Sequence, residues 1–188
     1  MSVKIRTTLR IEGSLLIVMA VSMIIPLLIA FFERETGSIR AFLLVMAMCV
    51  ILGLIPFIFF GPSQRKIQSR DSFVIVTLSW VLASIIGALP FLLSGSMNSF
   101  ADAFFESVSG FTTTGSSILT DVEVLPRSIL FWRSFTHWLG GMGIIVFITA
   151  LLPVFGINGQ LIANSETTGP TKDKILARFS DQSRQLYK

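Results

Sequence analysis

Long apolar runs separated by short polar breaks dominate the chain, and no break before the C-terminal tail is long enough to hold a domain. Four runs, 14–32, 39–60, 73–93 and 128–153, reach the roughly 20 residues that a bilayer crossing needs. Each predicts a transmembrane helix. Pro26 and Pro56 interrupt the first two, which neighbouring helices can tolerate by re-satisfying the freed backbone groups. Neither a heptad period nor a low-complexity segment is present. Between the third and fourth runs lies SFADAFFESVSGFTTTGSS, residues 99–117. It is too polar and too short to span. Ser99 with Asp102 reads as a capping-box-like helix start, and Gly110 as its end. At 1.5 Å per residue the helix is roughly 16 Å long, about half the hydrocarbon thickness. Thr112–Gly115 then returns in extended form. A half-length helix followed by a Thr/Gly strip is the pattern of a re-entrant pore loop, since non-helical backbone survives at membrane depth only in protein or along a water-filled path.

Composition agrees. Hydrophobic residues make up 52% of the 188 and charged residues 14%, against roughly 25% charged in a soluble domain. Seventeen phenylalanines and one tyrosine suit a lipid-facing surface. The single cysteine, Cys49, sits in an apolar run and reads as packing. The first run has no small-residue cleavage site after it, so it is expected to stay as a span and not to be removed as a signal peptide. Basic residues set the orientation. Lys4, Arg6 and Arg10 precede the first run, Arg65, Lys66 and Arg70 follow the second, and Lys172, Lys174, Arg178, Arg184 and Lys188 follow the fourth. These segments are therefore expected in the cytoplasm, with the Thr/Gly strip outside. The net charge of +4 is topology, not a nucleic-acid footprint. Near the strip, Asp102, Glu106, Asp121 and Glu123 are offset by Arg127 alone, a sign that draws cations to a vestibule.

Carbonyls of the Thr/Gly strip can replace an ion's hydration shell, and the carbonyl end of the short helix favours a cation. The strip by itself also fits an ordinary polar loop, since Thr, Gly and Ser are turn residues. The preceding half-length helix and the flanking spans favour the filter. Glu106, on an otherwise apolar helix, needs a partner. Bracing the strip from behind through Arg133 is the preferred role, because direct coordination would hold a monovalent ion too tightly. Gly110 and Ser116, at the ends of the strip, join this supporting set. In the fourth run Trp132 and Trp138 suit the outer interface of the membrane, and Gly140, Gly141 and Gly143 allow close helix approach or a kink. His137 has no second ligand at metal spacing and reads as a packing histidine. No nucleophile–base pair is legible, so an enzyme is not expected.

SVSGFTTTGSS followed by FWRSFTHWLGGMGIIVF closely resembles the TrkH/TrkG/KtrB superfamily of potassium-uptake proteins, and the likeness runs over essentially the whole chain. The resemblance implies an all-α integral membrane fold: two accessory transmembrane helices, then one membrane–pore-loop–membrane repeat of a potassium-channel-like fold. Residues 1–72 would be the cytoplasmic N-terminal end and accessory hairpin, 73–155 the first repeat, and 156–188 the segment leading toward a second repeat. It implies that backbone carbonyls of Thr112, Thr113, Thr114 and Gly115 form one quarter of a potassium filter, with K+ held chiefly at Thr113, Thr114 and Gly115. One filter glycine per repeat, where other potassium channels have two, implies weaker selectivity among alkali cations.

The same resemblance implies K+ as the transported ion with no cofactor in this chain, and a multi-pass location in a bacterial cytoplasmic (inner) membrane with the N-terminus cytoplasmic. It also implies a nucleotide-binding regulatory partner of the TrkA/KtrA kind and a homo-oligomer of the full-length protein. Four spans and one strip cannot enclose a four-sided pore, so a fragment or a natural truncation is expected. Two alternatives stay open: a non-transporting protein that associates with full-length subunits, and a sodium-preferring or co-transporting relative.

Overall fold

The structure, a computed structural model, describes residues 3–60 and 69–151, with side chains over 5–60 and 74–143. Six helices follow in order: α1 Val3–Ser22, α2 Ile24–Phe32, α3 Thr36–Phe59, α4 Ser69–Leu93, α5 Phe100–Phe111 and α6 Arg127–Leu151. Met1–Phe147 form one compact unit, and of the second, Ile148–Lys188, only the last turn of α6 is described. Among the described residues three spans are long and apolar enough to cross a membrane: Ile5–Phe32, Thr36–Phe59 and Val74–Leu93. The fourth expected run folds as α6, and its final two residues lie outside the described ones. So do the basic residues of the 61–68 loop and of the 156–188 segment.

The first span is two helices, and the break falls at Met23. Pro26 has no N–H to give and its ring crowds the carbonyl four residues back. The backbone turns at Met23, whose N–H is shared between the Met19 and Ala20 carbonyls at 3.2 Å each. Pro56 lies near the end of α3 and leaves that helix continuous. α1 and α3 cross at Gly13 and Gly53, where a Cβ on Gly13 would stand 2.7 Å from the Gly53 carbonyl oxygen. Small residues at such a crossing let two backbones touch, which is how helices associate where lipid removes the hydrophobic drive.

The core lies where α3, α4 and α6 meet. Phe42, Phe91, Ile129 and Trp132 are fully buried there, with Trp132 edge-on to Phe42 at 6.3 Å. Trp132 Nε1 donates to the Gly87 carbonyl at 3.0 Å, one residue from the Ile86 carbonyl that Pro90 cannot serve. Large apolar side chains also lie fully outside, such as Phe32 at 80% and Ile58 at 74% exposure. On membrane-length helices such faces belong against lipid.

Candidate functional site

α5 starts where Ser99, in extended backbone, accepts the Ala101 N–H on its hydroxyl. Twelve residues later it ends at Phe111, a length of about 18 Å, so it does not cross a membrane. The expected stop at Gly110 falls one residue short of the observed one. The reason is packing: Gly110 is used for contact. A Cβ there would lie 2.1 Å from Thr136 Oγ1 on α6, and one on Gly140 of α6 would lie 2.0 Å from the Phe111 carbonyl oxygen. α5 is therefore pressed backbone to backbone against α6. On its other side the buried Ser107 hydroxyl donates to the Ser84 carbonyl of α4 at 2.7 Å.

Past Phe111 the strip was expected to run extended, and it opens instead in a turn. The Thr113 N–H bonds the Gly110 carbonyl at 2.9 Å and the Thr114 N–H bonds the Ser109 carbonyl at 3.0 Å. These two bonds make a Schellman cap, which requires a left-handed residue. That residue is Thr113, with φ 57°, a conformation a β-branched side chain adopts only at a cost of about 1–3 kcal/mol. Gly115 is left-handed too, with φ 77°, while Thr112 has φ −79° and Thr114 is not among the positive-φ residues. Residues 112–118 are exposed. Among the described residues no N–H or O–H bonds the carbonyls of Thr112, Thr113, Thr114 or Gly115. The Thr112 and Thr114 hydroxyls meet at 2.8 Å, and Thr112 Oγ1 also donates to the Val108 carbonyl at 2.7 Å.

The loop is clasped at its base. The Ser109 hydroxyl donates to the Ser116 carbonyl at 2.6 Å. Glu106, 1% exposed, accepts from the Ser117 hydroxyl at 2.5 Å and the Ile118 N–H at 2.8 Å on Oε1. On Oε2 it accepts from Arg133 Nε at 2.9 Å. One carboxylate thus ties α5, the far end of the strip and α6 together. Burial works to raise the pKa of Glu106. The hydrogen bonds from Ser117, Arg133 and Ile118, with the Arg133 charge, outweigh it and hold the carboxyl below its usual range. The group is a carboxylate, paired on both oxygens.

Among the sequence candidates, Glu106 and Arg133 are in contact, Gly110 packs against Thr136 of α6, the Ser116 carbonyl is bonded by Ser109, and Thr112–Gly115 form the exposed turn. Sequence reasoning missed Ser109, Ser117 and Ile118 as partners, and Thr136 in the seat of α5; Gly140 was read as a site of close helix approach, without its partner. The small residues of α5 and the Gly140–Gly141 pair were the signal for that seat. His137 is half-buried, with Nδ1 3.0 Å from the Arg133 carbonyl of its own helix. Among the described residues no group of three or more His, Cys, Asp or Glu is placed to hold a metal ion.

Comparison with known proteins agrees in sequence and in shape. A family model described as TrkH, cation transport protein, matches residues 38–183. The Trk system potassium uptake protein TrkH of Salmonella typhimurium is 40% identical over 187 residues, covering 97% of this chain. The Trk system potassium uptake protein TrkG of Escherichia coli is 36% identical over 185 residues. The crystal structure of the potassium transporter TrkH from Vibrio parahaemolyticus superposes with a TM-score of 0.76 at 35% identity, covering 97% of this chain and 36% of that one. The chain spans 38% of the length of the TrkH and TrkG relatives it matches.

Proposed function

The chain belongs to the TrkH family of cation transport proteins and is a multi-pass membrane protein; from that premise we propose that it supplies one quarter of a potassium-selective filter in a Trk-type uptake system. The observation that carries this reading is the alternation of backbone hand over Thr112–Gly115, negative, positive, negative, positive in φ. Neighbouring peptides normally point their carbonyls to opposite sides. Where φ changes sign from residue to residue, as at Thr113 and Gly115, that alternation is broken and successive carbonyls can turn toward one side. The four carbonyls, which take no donor among the described residues, are then free to take the place of water around a dehydrated K+. The clasp through Glu106, Arg133 and Ser109 keeps that backbone from relaxing.

In this reading residues 1–72 are the accessory hairpin, 73–155 the first membrane–pore-loop–membrane repeat, and 156–188 the lead toward further repeats. Three further quarters come from the rest of a longer protein, as the partial coverage of the relatives suggests. Potassium moves passively, driven by about 2.3 kcal/mol per charge for each 100 mV. The protein lies in a bacterial cytoplasmic membrane with its N-terminus inside. It works as a homo-oligomer with a nucleotide-binding regulatory subunit and carries out no chemical conversion itself, in line with relatives that are uptake proteins.

The test is Gly115→Ser in the full-length protein, with rubidium uptake measured against sodium competition in a bacterium stripped of its own potassium uptake. A side chain at φ 77° strains the strip by about 1–2 kcal/mol. Discrimination between potassium and sodium is expected to fall by roughly tenfold, the equivalent of about 1.4 kcal/mol. Unchanged discrimination would remove the filter reading.

A further inference from the structure

We propose that Glu35, on the turn between the two accessory spans, is a positioning residue for the filter, acting through the first turn of α6. The inference rests on the filter reading above. α2 ends in a Schellman cap, with the Arg34 N–H on the Phe31 carbonyl at 3.2 Å and the Glu35 N–H on the Ala30 carbonyl at 2.9 Å. Its left-handed residue is Arg34, φ 57°, where a glycine would fit without strain. The turn sets Glu35 at the N-cap of α3, yet its side chain does not cap that helix. The carboxylate instead accepts the hydroxyl of Ser128, which is fully buried in the first turn of α6. Beside it Glu33 pairs with Arg127 at 2.9 Å.

The carboxylate therefore stands at the start of α6, bonded through the Ser128 hydroxyl, where the partial positive charge of a helix N-terminus favours an anion. Glu35 fixes the height and rotation of α6 where it begins. One turn on, Trp132 seats against Phe42 of α3 at 6.3 Å and on the Gly87 carbonyl. The next residue is Arg133, which holds Glu106. The accessory hairpin is thus joined to the filter clasp by a short unbroken sequence of contacts, and a shift of α6 at Ser128 moves the guanidinium that braces the strip. The Glu33–Arg127 pair, with side chains 40% and 76% exposed, is screened by water and adds little.

The experiment measures potassium-over-sodium discrimination in rubidium uptake, together with protein abundance in the membrane, for the full-length protein. Glu35→Gln keeps the size and removes the charge. It is expected to arrive in the membrane at wild-type abundance with discrimination lowered about three- to tenfold. Ser128→Ala should reproduce that loss, and the double variant should add nothing to it. Glu35→Asp should restore at least half, and Arg127→Gln should be silent. Gly115→Ser runs alongside. If Gly115→Ser changes discrimination and Glu35→Gln does not, this inference fails and the filter reading stands. If Gly115→Ser is also silent, the filter reading itself has failed. A Glu35→Gln defect fully accounted for by reduced abundance, or a double variant with additive losses, would overturn the positioning role in favour of plain folding support.

Discussion

Glu106 concentrates the energetics of the site in one side chain. A buried carboxylate is costly unless every lone-pair direction finds a donor, and removing one partner of a buried pair costs about 3–5 kcal/mol because the other charge is stranded. Arg133 is only 16% exposed, so Glu106→Gln should leave a guanidinium unpaired at the back of the strip. The expected result is a loss of about 3 kcal/mol of stability, read as an earlier thermal midpoint in detergent, with rubidium uptake reduced. Glu106→Gln combined with Arg133→Gln should recover part of that loss, since the stranded charge is then gone. Wild-type stability in the single variant would show that the pair is idle. Thr113 contributes in the opposite direction. Its left-handed backbone is held against side-chain preference by two cap bonds and by the hydroxyl contact between its neighbours, Thr112 and Thr114. Strain of that kind gathers where geometry is fixed for a purpose.

Between elements, contact is decided by the absence of side chains. Gly140 and Gly141 are adjacent in sequence, yet they face different surroundings. A Cβ on Gly140 would strike the Phe111 carbonyl at 2.0 Å, while one on Gly141 meets only Thr113 Cγ2 at 3.9 Å. Gly140→Ala should force α5 away from α6 at a cost of about 1–3 kcal/mol or more, with uptake lost. Gly141→Ala should be tolerated within about 0.5 kcal/mol. Thermal midpoints of the two variants in detergent check this, and equal effects would refute the crossing. The existence of α5 and of every long helix was legible from apolar run length and from Ser99, because those signals are local. Which glycine touches which helix was not, because two adjacent glycines look alike until a rotation about the helix axis is known. The turn at Thr113 was unreadable for the same reason that makes it notable: a β-branched residue is the wrong residue for a left-handed cap. The break at Met23 was displaced from Pro26 because a proline disturbs the turn before it.

For the molecule as a whole, the helices form one packed body up to Phe147, with apolar side chains turned outward along the membrane-length helices. Side of entry is a separate matter, carried by charge: most of the basic residues that set it lie in segments 61–68 and 156–188, outside the described residues. The acidic loop between α5 and α6 belongs outside the cell if those basic segments stay in the cytoplasm, because translocating them opposes the membrane potential and the attraction of the anionic inner leaflet. A cysteine at position 121 tests this directly. The native thiol, Cys49, is fully buried in α3 and should stay silent, whereas Asp121 is exposed. Asp121→Cys should react with a membrane-impermeant maleimide in intact cells, and Ser63→Cys only after the membrane is opened. Labelling of Ser63→Cys from outside, with Asp121→Cys protected, would invert the protein and put the cation-attracting loop on the cytoplasmic side. Under the proposed function, uptake would then have to begin at the opposite end of the molecule, and the Thr112–Gly115 strip would lie at the exit.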